Sequence, residues 1–109
     1  MPTVYKVLGQ SNPSATTLTT LYTVPAATET VVSSIVIANL AATAATFRIA
    51  VRPNGAAIAN SQYVGYDITV GASDSTVLTL GITMDATDVL SVYASTATVT
   101  FSAFGSEIS

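Results

Sequence analysis

Few side chains in this chain of 109 residues can do chemistry, since it contains no His and no Cys. The usual general base and the commonest metal ligand are therefore missing, as are disulfides and thiol chemistry. Ser and Thr are abundant, but Lys6 is the only lysine, so no hydroxyl nucleophile has an evident activating base. The sequence predicts a protein that is not an enzyme and that uses no cofactor.

Three aspartates form the one candidate group of carboxylates. Asp85 and Asp88 share a predicted turn, and Asp74 lies in a neighbouring turn. Such oxygens can bind Ca²⁺ or act as an acid and base pair. Asp in a short turn instead accepts hydrogen bonds from its own backbone and closes the bend. The stretch lacks the further ligands and the fixed Gly of a calcium loop, so the pattern favours turns and predicts no metal site.

Arg48 and Arg52 are two of the three basic residues, four positions apart in an alternating segment. On a strand they point from the same face, about 13 Å apart. If residues 63–70 form the adjacent strand, Tyr63 and Asp67 line up with them as a polar, aromatic patch. Arg and Tyr are enriched in protein contacts, so these four residues are the predicted partner contact. The alternative left open is an ion pair between Arg and Asp within the chain.

Composition points to association with other proteins. Charged residues make up 8% of the chain and the net charge is −3, whereas soluble domains carry about 25% charged residues. Such a surface gives up little hydration when covered, so it favours broad contacts with other copies or another protein. Three basic residues are too few for nucleic acid. No segment reaches the about 20 apolar residues of a membrane span, and no secretory signal pattern begins the chain.

The elements that must position these residues are predicted to be strands. Hydrophobic periodicity, turn signals and the absence of a helical period indicate segments 4–8, 18–24, 29–40, 46–52, 63–70, 76–82, 89–94 and 98–104. The pattern is typical of a single antiparallel β-sandwich domain over residues 1–109, all-β, with seven or eight strands. A jelly roll is the first choice and an immunoglobulin-like sandwich the second, because periodicity does not give strand order.

Side-chain directions follow from the same periodicity. Segment 29–40 is apolar on both faces and predicts a central strand, with segment 46–52 paired beside it. The even-numbered residues of 63–70, Tyr66 among them, are predicted to point inwards. Gly9 is expected to end the first strand, and residues 105–109 are expected to form a polar tail. The aromatic residues predicted to pack in the core or in an interface are Tyr5, Tyr22, Tyr66, Tyr93, Phe101 and Phe104.

Several segments carry a family resemblance: 7–10 (VLGQ), 21–26 (LYTVPA), 31–39 (VVSSIVIAN), 45–51 (ATFRIAV), 88–96 (DVLSVYAST) and 99–105. They resemble small virion proteins from the structural modules of tailed bacteriophages, cyanophages among them. The resemblance implies a capsid decoration or cement protein that binds the major capsid protein on the virion surface, after synthesis in the bacterial cytoplasm. It brings no catalytic residues.

A homo-oligomer, with a trimer favoured by analogy, is the expected assembly. A receptor- or glycan-binding module of a tail or head fibre is the alternative function. The predicted loops around Asn54-Gly55 and Ser73–Ser75 are short and lack aromatic residues, which favours the cement protein.

Overall fold

The computed structural model describes residues 2–109 and shows two antiparallel sheets packed as a sandwich. Its strands are β1 (Thr3–Ser11), β2 (Thr19–Thr23), β3 (Glu29–Asn39), β4 (Ala45–Arg52), β5 (Tyr63–Val70), β6 (Ser75–Leu78), β7 (Ile82–Met84), β8 (Val89–Ala94) and β9 (Val99–Ile108). Two short 3-10 turns, Pro53–Gly55 and Asn60–Gln62, lie between β4 and β5. The predicted all-β sandwich is confirmed. The described residues form nine strands instead of the predicted seven or eight. The predicted strand 76–82 is interrupted before Ile82, where Gly81 adopts a φ of +61°.

Strand order identifies the sandwich as a jelly roll. The first sheet has the order β1, β9, β3, β6, with β7 also paired to β3, and the second has the order β2, β8, β4, β5. The first strand thus pairs with the last, the second with the last but one, and β4 with β5, which is the nested pairing of a double Greek key. An immunoglobulin fold would keep the first two strands in one sheet. The predicted pairing of segments 29–40 and 46–52 is wrong, because β3 and β4 lie in opposite sheets.

The core lies between β3 and β9 of the first sheet and β4 and β8 of the second. Ile35, Ile37, Phe47 and Ile49 are fully buried there, and the rings of Phe47 and Phe101 meet edge to face with centres 6.1 Å apart. A bulge after Val32 shifts the register of β3. Val32 therefore shares the buried face with Ile35 and Ile37.

The same bulge leaves Val31 and Val36 half-buried on the outward face of β3. Leu40, directly after the strand, is 70% exposed. The prediction that neither face of segment 29–40 meets water is therefore wrong. The prediction that this segment is a central strand is confirmed, since β3 is paired with β9 on one side and with β6 and β7 on the other.

Two glycines allow strands to approach more closely than side chains permit. A Cβ on Gly9 would lie 2.2 Å from the carbonyl oxygen of Leu21, and one on Gly105 would lie 2.0 Å from that of Val31. Gly9 follows the register shift between β1 and β9, and Gly105 is paired with Val32, directly before the register shift in β3. A residue without a Cβ fits at such positions. The expected strand end at Gly9 and the expected tail at residues 105–109 are therefore wrong, since β1 runs to Ser11 and β9 to Ile108.

Candidate functional site

Arg48 lies on the outward face of the second sheet between two tyrosine rings. Its guanidinium carbon is 4.2 Å from the ring centre of Tyr66 and 4.3 Å from that of Tyr93, within the range of a cation–π contact. Its Nε donates to Asp67 Oδ1 at 2.6 Å, and its Nη2 donates to Oδ2 at 3.4 Å. The hydrogen bonds to Asp67 raise the pKa of Arg48 further above its usual value. The guanidinium of Arg48 is thus a permanent cation that Asp67 and the two tyrosine rings hold in place.

A β-bulge in β5 brings Tyr66 and Asp67 opposite Arg48. The register between β4 and β5 shifts between Phe47 and Ile49, so two residues of β5 face one of β4. Asp67 has a φ of +50°, in the left-handed region that Asp enters more readily than most residues. The bulge turns Tyr66 outwards, where it is 55% exposed. The prediction that Tyr66 points inwards is therefore wrong.

Tyr63 completes this group of side chains. Its ring packs edge to face against Tyr66 with centres 4.9 Å apart, and both tyrosines line an open depression together with Asn60. We call Arg48, Tyr63, Tyr66, Asp67 and Tyr93 the arginine–tyrosine patch. Three of the four predicted contact residues belong to it. Sequence reasoning missed Tyr66 and Tyr93, and the one local signal was an Asp within a strand, where Asp is disfavoured.

Arg52 does not join the patch. Its Nε donates to the carbonyl of Ala56 at 2.8 Å, its Nη2 to that of Gly55 at 3.2 Å, and its Nη1 contacts Ser91 Oγ at 3.4 Å. These bonds tie the segment after β4 to β8. Arg52 thus shares the outward face with Arg48, as predicted, but it holds a loop.

The three aspartates of the candidate metal group close turns. The carboxylate of Asp88 accepts the backbone N–H groups of Asp85 at 2.9 Å and Asn54 at 2.8 Å. The carboxylate of Asp74 accepts the N–H of Ser75 at 2.8 Å, and its backbone carbonyl accepts the N–H of Asn39. Asp74 therefore lies at the end of β3 opposite to the turn that contains Asp85 and Asp88. Within residues 2–109, no three His, Cys, Asp or Glu side chains are close enough to hold a metal ion.

A polar network that the sequence did not reveal lies at the end of the sandwich where β2, β3 and β9 meet. The hydroxyl of Tyr22 lies 2.8 Å from Thr30 Oγ1 and donates to the carboxylate of Glu107, which also pairs with Lys6 Nζ at 3.1 Å. Burial, with the bond to Glu107, raises the pKa of Tyr22 to about 12. The hydrogen bond from Tyr22, with help from Lys6, lowers the pKa of Glu107. The network ties the two sheets together.

The outward face of the first sheet forms a second surface, which we call the neutral face. Because directly paired residues share a side of a sheet, the register defines its rows. One row contains Val77, Val36, Ser102 and Gln10, the next Ser34, Phe104 and Val7, and the next Thr83, Val31, Ser106 and Tyr5. None of these described residues is charged. The row that follows the Val31 row contains Glu29, a charged residue at the start of β3.

Known families do not decide between these surfaces, because no protein-family model matches the chain and the search of curated proteins finds no match. Within residues 2–109, the structure also has no helix long and apolar enough to span a bilayer.

Proposed function

We propose that the chain is a non-enzymatic binding protein whose jelly roll presents a prepared contact surface. More specifically, we propose a decoration protein of a tailed bacteriophage, which binds the major capsid protein and stabilises the shell. The arginine–tyrosine patch carries the proposal. It groups Arg and Tyr, residue types that dominate binding energy in protein contacts, on the outward side of β4, β5 and β8, where Tyr66 is 55% exposed.

The geometry of Arg48 supports its role as a contact residue. Its two bonds to Asp67 use two of its five N–H donors, so three remain for carbonyls or carboxylates of a partner. The rings of Tyr66 and Tyr93 hold the guanidinium in place before binding. Less side-chain freedom is then lost on association, which favours affinity.

Two further observations support placement on a virion. The chain resembles phage virion proteins in the segments described above, and the jelly roll is a fold that viral capsid domains use. In a shell each weak contact is repeated many times, so avidity strengthens binding. A ligand that binds only the mature lattice stabilises it by mass action. We propose that the copies act as a homo-oligomer, with a trimer favoured.

The test is binding of the purified chain to phage capsids that lack it. The wild type should bind and should raise the temperature at which the shells open. Arg48→Ala and Tyr66→Ala should each weaken binding by about tenfold or more. Leu80→Ala is the matched control, since it truncates a 44% exposed side chain between β6 and β7 of the other sheet and should leave binding unchanged. Failure of the wild type to bind, or unaltered binding by both patch variants, would refute the proposal.

A receptor- or glycan-binding module of a phage fibre is the second candidate, and one observation favours it. Tyr63 and Tyr66 stand together in an outward depression beside Asn60. Exposed aromatic rings can stack on the apolar face of a sugar, and an amide can hydrogen-bond its hydroxyls. In this case the added protein should block phage adsorption to host cells, and Tyr63→Ala should remove the block. Unimpeded adsorption, together with binding to capsids, would exclude it.

A further inference from the structure

Strand β1 exposes more apolar side chain than a strand at the surface of a monomer needs. Tyr5 is 83% exposed, Val4 52% and Val7 48%. Tyr5 and Val7 belong to the neutral face, whereas Val4 is paired with Glu107 and points to the other side of the sheet. The first half of β1 is therefore open on both sides.

The backbone of β1 is also incompletely paired. Among the described strands β1 forms a ladder with β9 alone, so the N–H and C=O groups of its other edge have no strand partner. Proteins usually shorten, charge or cover such an edge, because it is a template for another strand. Here β1 is nine residues long, and the backbone of Leu21 in β2 lies close to it at Gly9, so the open part of the edge is the first half of the strand. Its one charged residue, Lys6, is already paired with Glu107.

We infer that the neutral face and the free edge of β1 are covered by a second copy of this chain. The inference deepens the proposed self-assembly and rests on that part of the proposed function alone. The two outward faces then have different binding partners. The neutral face joins copies of the chain to one another, while the arginine–tyrosine patch stays free for the capsid.

Charge favours another copy as the occupant. A partner for an uncharged surface must itself be nearly uncharged, or its ions lose water without gaining a counter-ion. The neutral face of a second copy meets this condition, because it repeats rows of Val, Ser and Thr with no like charges to oppose. The free edge has the same complementarity, since a strand edge is satisfied by another strand edge.

The available area is consistent with a stable contact. Four strand positions spaced at about 4.8 Å and about eight residues at 3.3 Å each give a projected area of about 500 Å². The accessible area exceeds the projection because Tyr5, Val7 and Val77 protrude, and both open sides of β1 add to it. A standard interface needs about 800 Å² from each partner. The neutral face and β1 together approach this size.

Light scattering coupled to size exclusion tests the inference on the whole chain. The wild type should have a mass that is a multiple of 11.1 kDa. Tyr5→Glu and Val7→Glu each place a charge in the contact and should weaken self-association about a hundredfold. Val64→Glu is the matched control, because Val64 is 47% exposed, close to the 48% of Val7, but lies on β5 of the other sheet. The mass of this variant should equal that of the wild type.

Hydrogen exchange keeps the test decisive even if a charged variant misfolds. In the wild type, the amides of β1 should become more protected as protein concentration rises, while those of β5 should not. A wild type that stays at 11.1 kDa, or β1 amides whose protection ignores concentration, would overturn the inference. A monomer whose capsid binding is lost in Tyr5→Glu would also overturn it and would assign the neutral face to the capsid. Loss of capsid binding in Arg48→Ala alone would leave the inference standing.

Discussion

Gly105→Ala tests the close pairing of β9 with β3, on which the C-terminal half of β9 and its pairing with β1 depend. A Cβ at this position would lie 2.0 Å from the carbonyl oxygen of Val31 and 3.0 Å from its carbonyl carbon. Both are backbone atoms, so neither can rotate away. Because Cβ contacts below 3.0 Å essentially never occur, the strands must separate by about 1 Å.

The cost follows from that separation. Ladder bonds near 2.9 Å would lengthen towards 3.9 Å, which is no longer a hydrogen bond. Two or three lost bonds at about 1 kcal/mol each, with about 1–3 kcal/mol of overpacking, predict a loss of about 3–6 kcal/mol in the free energy of unfolding. That is a large part of the about 5–15 kcal/mol by which domains are stable.

Urea unfolding followed by circular dichroism is the assay, and the midpoint for Gly105→Ala should fall by about 2–3 M. Gly71→Ala is the matched control. Its Cβ would meet the side chain of Asp74 at 3.5 Å, an ordinary contact, so its stability should stay within about 0.5 kcal/mol of the wild type. A Gly105→Ala protein within about 1 kcal/mol of the wild type, at an unchanged m-value, would refute the close approach of β9 to β3.

Three further predictions concern the polar side chains. Tyr22→Phe removes the hydroxyl that bonds Thr30 and Glu107 and should cost about 1–2 kcal/mol in urea unfolding. Because the pKa of Tyr22 is raised to about 12, the stabilisation it gives is complete below its usual pKa near 10 and is lost as pH rises towards 12. The Phe variant should lack this alkaline loss, and an identical alkaline profile would contradict the assignment. The lowered pKa of Glu107 acts with the opposite sign: its stabilisation is complete above the unfolded pKa near 4.3 and is lost as pH falls through the native value. Between about pH 5 and 3, the free energy of unfolding of Glu107→Gln should therefore fall less steeply than that of the wild type. Equal slopes for the two proteins would contradict the role of Glu107. Asp67→Val puts a β-branched residue at a φ of +50° and should be less stable than Asp67→Asn by about 1–2 kcal/mol; equal stabilities would argue against the bulge.

The patch was predictable only in part. Alternation in residues 46–52 placed Arg48 and Arg52 on the outward face correctly, since β4 contains no bulge between them and its inward residues Phe47 and Ile49 are buried. Alternation in residues 63–70 failed at Tyr66. The one-residue bulge at Asp67 reverses which side chains point outwards, and a period of two cannot reveal an inserted residue.

The ends of strands show the same limit. Gly9 and Gly105 looked like strand terminators, because glycine is a common turn residue. In the structure each lies within a strand, at a point where a neighbouring backbone leaves no room for a Cβ. Which backbone approaches a glycine depends on residues far away in the chain, such as Val31 for Gly105.

The sequence by itself determined the class of fold, because alternating apolar residues and regular turn signals leave an antiparallel sandwich as the way to bury them. It also determined that the surface is nearly uncharged. The tertiary structure alone decided the jelly-roll order, the stacking of Arg48 between Tyr66 and Tyr93, and the position of Tyr5 on a neutral, open face. The physical reason is that periodicity records only which side of a strand is apolar, whereas strand partners and register depend on contacts between residues distant in the chain.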